Sequence, residues 1–118
     1  MQIRKAAPST VESSARLLKA MADPVRLRLL NLLTNGEVCV CHLHDALNLP
    51  QPTVSRHLAY LRKTRLVVGR KDGLWVHYRL TEPETDLHTR LVEFVIPCLA
   101  DLASLKADRD RLSGLNCC

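Results

Sequence analysis

Cys39-Val40-Cys41 carries the most reactive side chains of this sequence, and His42 and His44 follow within three residues. Paired thiolates are soft ligands that select soft metal ions or metalloids over magnesium or calcium. The pair stands at the start of a helical pattern, where the positive end of the helix dipole favours the thiolate. On a regular helix, side chains two residues apart point ~200° away from each other. One ion can bridge both sulfurs only if the first turn is irregular or extended, and ligation would then strain that turn. Two other chemistries fit the same residues. Cysteine packs as a small buried hydrophobe, and a vicinal thiol pair can oxidise without any metal.

A second set of side chains suits nucleic acid. Pro52 opens a helix reaching about Thr64, with Val54, Leu58 and Leu61 on its inner face. Gln51, Thr53, Ser55, Arg56 and His57 lie off that face near the helix start, where recognition helices read base edges. Glutamine pairs with adenine and arginine with guanine, while serine and threonine serve bases or phosphates. The free amides of a helix start attract phosphate as well. Arg70 and Lys71, with Arg79, add charge for the backbone. From Gln51 to Arg79 seven basic residues face one acid, Asp72, a net +6 in a chain whose total is +5. Charge focused in this way marks a polyanion partner; a solvated face or a membrane surface are the alternatives.

The elements that must position these residues follow from periodicity. Val11, Ala15, Leu18 and Met21 predict a first helix. Asp23-Pro24 starts a second, with Val25, Leu29, Leu32 and Leu33 inward, Arg26, Arg28 and Asn31 off the stripe, and Gly36 as its C-cap. Cys39 to Leu47 forms a third helix, and a tight connection to the fourth completes a helix-turn-helix. Leu66–Lys71 and Leu74–Leu80 read as strands around an Asp72-Gly73 turn, a hairpin wing. Thr81-Glu-Pro-Glu84 resembles a capping box opening a final helix that Pro97 should kink. That helix carries Leu87, Leu91, Phe94, Val95, Cys98, Leu102 and Leu105 on one side, and Val92, Ile96 and Leu99 elsewhere. It is too apolar for one seam, so a second copy is expected against the first and last helices, through Leu17, Leu18, Leu91, Val95 and Leu102. The expected fold is mainly α with a β-hairpin wing (α+β), a winged helix-turn-helix of order α-α-α-α-β-β-α.

Length and composition bound the rest. The 118 residues make one domain, residues 1–118, with loose ends at about 1–10 and 110–118. Hydrophobic residues at 47 % and charged residues at 25 % exclude a disordered chain. Aromatics at 3 % exclude a stacking platform for single strands. No apolar run approaches the ~20 residues of a membrane span, and Met1-Gln2-Ile3-Arg4-Lys5 leads into no secretory segment. A cytoplasmic protein with reduced thiols is expected. Without paired carboxylates, a nucleophile with its base, or a phosphate loop, no enzyme and no permanent cofactor is expected.

Three motifs in order carry a resemblance: Gly36-Glu-Val-Cys-Val-Cys-His-Leu43, Pro50-Gln-Pro-Thr-Val-Ser-Arg-His-Leu-Ala-Tyr-Leu-Arg62, and Arg70-Lys-Asp-Gly-Leu-Trp-Val-His-Tyr-Arg-Leu80. With Ala22-Asp-Pro-Val-Arg-Leu27, they resemble the ArsR/SmtB family of metal-sensing repressors, and within it the arsenic-responsive branch. The resemblance covers about residues 15 to 80 strongly and the final helix weakly. It implies a homodimer that occupies double-stranded operator DNA, an inverted repeat, and leaves when trivalent arsenic or antimony binds. It also implies that Cys39 and Cys41 are inducer ligands.

One departure matters. The branch has a third cysteine where this chain has His44. The third ligand is therefore an exogenous group, His44, Cys98, or Cys117 and Cys118. A zinc- or cadmium-responsive repressor using Cys39, Cys41, His42 or His44 is the rival within the family. Another subclass binds zinc on the last helix; Asp86-Leu-His88 matches the first half of its motif and nothing matches the second.

Overall fold

The computed structural model describes residues 10–115. Helix α1 (Val11–Met21) begins with a reciprocal cap: the amide of Ser13 donates to Thr10 Oγ1, and the amide of Thr10 to Ser13 Oγ, both at 2.9 Å. Asp23 caps α2 (Pro24–Leu32) by accepting the Arg26 amide at 3.0 Å. The helix ends on Leu33, so Gly36 lies beyond the C-cap expected there, in the following turn.

A two-residue strand that periodicity does not announce comes next. β1 (Val38–Cys39) leads without a loop into α3 (Val40–Leu47), and α4 (Gln51–Lys63) follows. Asn48 ends α3 in the left-handed region, φ 55°, which its short polar side chain tolerates. The wing is β2 (Val67–Asp72) and β3 (Trp75–Leu80), antiparallel with Asp72 opposite Trp75. The two loop residues are thus Gly73 and Leu74, one position later than expected. Gly73 takes the positive φ of 63° at the first of them, where glycine pays no steric cost. The sheet order is β1-β3-β2.

The core is aliphatic, as the scarcity of aromatics requires. Leu29, Leu30 and Leu33 meet Leu43 and Leu47 of α3, Val54, Leu58 and Leu61 of α4, and Leu66 ahead of the wing. Full burial of each side chain contributes about 1.5–3 kcal/mol.

The C-terminal third differs most from expectation. The helix cap is Thr85, accepting the His88 amide at 3.1 Å, four residues after Thr81. The Thr81 amide instead donates to the Leu66 carbonyl at 3.0 Å and prolongs the sheet region. α5 (Asp86–Arg90) passes through a π-turn (Leu91–Val95) into α6 (Ile96–Leu99). Pro97 lacks an amide and crowds the carbonyl four residues back. The wider π-turn just upstream accommodates both, so it stands where a kink was expected.

The chain then breaks, and α7 (Ala103–Ser113) folds back over α2 and α3. It is a separate helix, and it continues to Ser113 rather than loosening from about residue 110. Asp108 is fully buried on it. Arg28 donates to Asp108 from Nε at 2.8 Å and Nη2 at 2.9 Å, and Arg111 from Nη2 at 2.6 Å. Arg28 also reaches the Leu47 carbonyl and Arg111 the Ala46 carbonyl, so two arginines cap the end of α3. Asn31, expected off the buried face, is buried beneath α7. It donates to the Leu105 carbonyl and accepts from Arg109.

Candidate functional site

The α3–α4 pair forms the helix-turn-helix. α3 packs against α4, and Pro50 is the N-cap of α4, with no side chain capping its first amides. Gln51 and Arg56 are exposed on the outer face of α4, with Thr53 and Ser55 half-buried beside them. His57 does not share that face. Its Nδ1 lies 3.4 Å from Arg26 Nη1 and 3.7 Å from Asp23 Oδ2, turned toward the start of α2.

On the wing, Lys71 is exposed. Arg70 is engaged: its Nη2 and Nε donate to the two Glu37 oxygens at 2.7 and 3.1 Å. The hydrogen bond from Arg70 holds the Glu37 carboxyl below its ordinary range, and the positive charges of Arg70, His77 and Arg79 add to this. The same hydrogen bond raises the Arg70 guanidinium.

Arg26 is a positioning residue that sequence reasoning left aside. It donates to the Lys19 and Ala20 carbonyls and stacks over the Tyr60 ring, 4.2 Å from its centroid. It thereby fastens the end of α1 to α2 and α4. The one available signal was its place three residues after the Asp23 cap.

The Cys39–Cys41 pair straddles the joint of β1 and α3. Cys39 is the N-cap of α3, with extended backbone at φ −69° and ψ 143°, and Cys41 lies in the first helical turn. The extended first position is the condition under which sulfurs two residues apart can converge. They do converge: Cys41 Sγ lies 3.2 Å from Cys39 Sγ. Cys39 is buried and Cys41 half-buried. Cys39 also stands opposite His77 of β3, and Val38 opposite Tyr78, so the thiol strand is part of the wing sheet.

No group of three His, Cys, Asp or Glu side chains able to hold a metal ion occurs among the described residues. His44 faces Asp45, Nδ1 to Oδ1 3.7 Å, and does not join the sulfurs in such a group. Cys98 is exposed on α6. Cys117 and Cys118 lie outside the described residues. On α5, Asp86 is exposed near Arg90, and His88 is buried with Nδ1 accepting the Glu84 amide at 3.2 Å. They do not form a cation site there.

Comparison with known proteins agrees with this geometry. Residues 23–68 match the family described as bacterial regulatory protein, arsR family. The uncharacterized HTH-type transcriptional regulator MJ1325 of Methanocaldococcus jannaschii is 42 % identical over 83 residues, 70 % of this chain and 93 % of that protein. The arsenical resistance operon repressor of Escherichia coli is 52 % identical over 67 residues, 56 % of this chain but only 57 % of that protein. The transcriptional repressor SmtB of Mycobacterium tuberculosis is 40 % identical over 72 residues, 61 % and 53 % of the two chains. Among solved structures, HlyU from Vibrio cholerae superposes with a TM-score of 0.65 at 37 % identity, covering 78 % of this chain and 92 % of that one. The homodimeric winged helix-turn-helix DNA-binding domain of Mb0332 from Mycobacterium bovis gives 0.63 at 31 % identity, covering 77 % and 81 %. The fold is a winged helix-turn-helix, and the chain belongs to the arsR family of bacterial regulatory proteins.

Proposed function

We infer that this chain is an operator-binding repressor, homodimeric on an inverted repeat, that releases DNA when trivalent arsenic or antimony binds Cys39 and Cys41. The observation that carries this reading is the 3.2 Å separation of the two sulfurs at the β1–α3 joint. Two sulfurs brought this close can meet one soft ion, and the likeness to the arsenical resistance operon repressor supports trivalent arsenic or antimony as that ion. Zinc or cadmium, the rival inducer within the family, needs a fuller ligand set.

In this reading Gln51, Thr53, Ser55 and Arg56 face the base edges, and Lys71 and Arg70 face the backbone. His57 serves the α2–α4 contact instead. Cys39 belongs to a strand paired with the wing, and Cys41 to the helix that supports α4. An ion fixing both sulfurs therefore acts on both DNA-contacting parts at once, shifting the population away from the DNA-competent arrangement. Coupling of about 1–3 kcal/mol lowers affinity about 5–150-fold.

The second copy is read from exposed apolar side chains: Leu18 at 48 % exposure on α1, with Phe94 at 63 %, Val95 and Leu102 further on. Leu91, expected in that face, is buried within its own chain. Operator binding places the work of the protein in the cytoplasm. The test is DNA release from reduced protein titrated with arsenite, antimonite, zinc, cadmium and peroxide. Release by the first two at the lowest concentrations supports the reading, and release by zinc or peroxide alone overturns it.

A further inference from the structure

We propose that Arg28 and Arg111, locked together on Asp108, are positioning residues for DNA release: they pin the far end of α3, so that ligation at Cys39 and Cys41 swings this helix about a fixed point and carries α4 with it. The inference rests on the inducer reading above and goes beyond it by naming the residues that make thiol ligation felt at the helix proposed to face DNA.

The need for a pin follows from the shape of α3. The helix has eight residues, Val40–Leu47, a length of about 12 Å at 1.5 Å per residue. The sulfurs stand at its start, Cys39 as N-cap and Cys41 in the first turn. A helix this short has little cohesion of its own, so strain applied at one end is dissipated if the other end frays. The sequence leaves that other end open. The Asn48 amide goes to the Asp45 carbonyl and the Leu49 amide to the His44 carbonyl. Pro50 stands four residues after Ala46 and three after Leu47, and it has no amide to give either carbonyl.

Two side chains from other elements close it. Arg111 of α7 donates from Nε to the Ala46 carbonyl at 2.6 Å, and Arg28 of α2 donates from Nη2 to the Leu47 carbonyl at 3.0 Å. Positive charge is favoured at this end of a helix. Each guanidinium is itself held. Arg28 is bidentate on Asp108 at 2.8 and 2.9 Å, and Arg111 reaches the same carboxylate at 2.6 Å. Asp108 is fully buried, and a buried carboxylate that loses its partners is strongly destabilising, so the three groups keep one arrangement.

The pinned end is also the start of the turn into α4, the three residues Asn48–Pro50. Asn48 is fixed in the left-handed region, and the ring of Pro50 fixes its own φ, so the turn has little slack. Rotation of α3 about Ala46 and Leu47 therefore passes into α4.

The experiment uses the reduced full-length chain, with Arg111→Gln and Arg111→Lys as variants. Both leave the Arg28–Asp108 pair in place. Lysine also keeps the charge, but it lacks the planar fork that holds two acceptors at once. Calorimetry reads arsenite binding, and fluorescence anisotropy reads operator affinity with and without saturating arsenite. Both variants should bind arsenite as the wild type does. The factor by which arsenite weakens operator binding should fall toward one, by about 2–30-fold. Amide hydrogen exchange on adding arsenite should change from α3 through α4 in the wild type, and only in the first turn of α3 in the variants. A purely structural role would lower operator affinity equally with and without arsenite. That result, or exchange changes that still reach α4 in both variants, overturns the pin and leaves Cys39 and Cys41 standing as the inducer site. A wild-type chain whose operator affinity does not respond to arsenite overturns the reading beneath it.

Discussion

Arg70 of the wing grips both oxygens of Glu37, at 2.7 and 3.1 Å, two residues before Cys39. This bidentate pair and the β1–β3 ladder make one mechanical unit of the wing and the thiol strand. It also gives Arg70 two competing partners, the Glu37 carboxylate and the phosphate proposed for it.

Glu37→Gln should therefore loosen the link between the two sites. Operator binding should hold or tighten, because Arg70 is released for phosphate. Arsenite-driven release should weaken severalfold. Fluorescence anisotropy of labelled operator reads both quantities.

The same pair has a defined pH dependence. The Glu37 carboxyl is held below its ordinary range, so its contribution is fully present above the ordinary carboxylate pKa of ~4.3 and is lost as pH falls through the lowered value. Arg70, raised, stays charged throughout. Trp75, the single tryptophan, sits at the wing tip. Its fluorescence should show an acid transition below the ordinary carboxylate range in the wild type, and Glu37→Gln should abolish it.

Asp108→Ala leaves Arg28 and Arg111 without their shared carboxylate and opens a hole beneath α7. Breaking a buried ion pair costs about 3–5 kcal/mol. Both arginines are partly exposed and can rehydrate, so a loss of about 3 kcal/mol is expected. Urea denaturation checks it, with the midpoint falling.

On α4, proposed to read the operator, Arg56→Ala should cost operator binding about 1–3 kcal/mol and relax sequence preference, while Lys71→Ala on the wing should weaken specific and non-specific DNA alike and flatten the salt dependence. His57→Ala should leave base preference intact, because His57 faces Asp23 and Arg26. Competition binding at several salt concentrations separates the three.

The apolar face proposed to meet a second copy should be sensitive to charge. Phe94→Glu places a carboxylate amid exposed apolar side chains, and burying it unpaired is costly. Sedimentation should show monomer where the wild type is dimeric, with unchanged helix content by circular dichroism.

Helix α4 and the wing were legible because each has a clean period: Val54, Leu58 and Leu61 on one side of α4, and alternation along β3. The capping chemistry of Asp23-Pro24 was equally local. Three features were not local. β1 is two residues long, and its pairing with Tyr78 and His77 is a contact across 38 or more positions that no window detects. The return of α7 is fixed by Asp108 reaching Arg28 eighty residues away, so Asn31 looked like surface and is core. His57 carried the residue type of a base reader, and only the position of α2 shows that its ring is taken. For the thiols, spacing stated the condition, an extended first turn, and the strand ending at Cys39 meets it.

The central claim is that Cys39 and Cys41 together receive the inducer and that their ligation drives release. The most direct measurement is an arsenite titration of the operator complex with reduced wild type and the Cys39→Ser, Cys41→Ser double variant. Serine oxygen is too hard to replace a thiolate for a soft metalloid. The account predicts equal operator affinity before arsenite, release from the wild type, and none from the double variant. Release from the double variant at wild-type arsenite concentrations would contradict it.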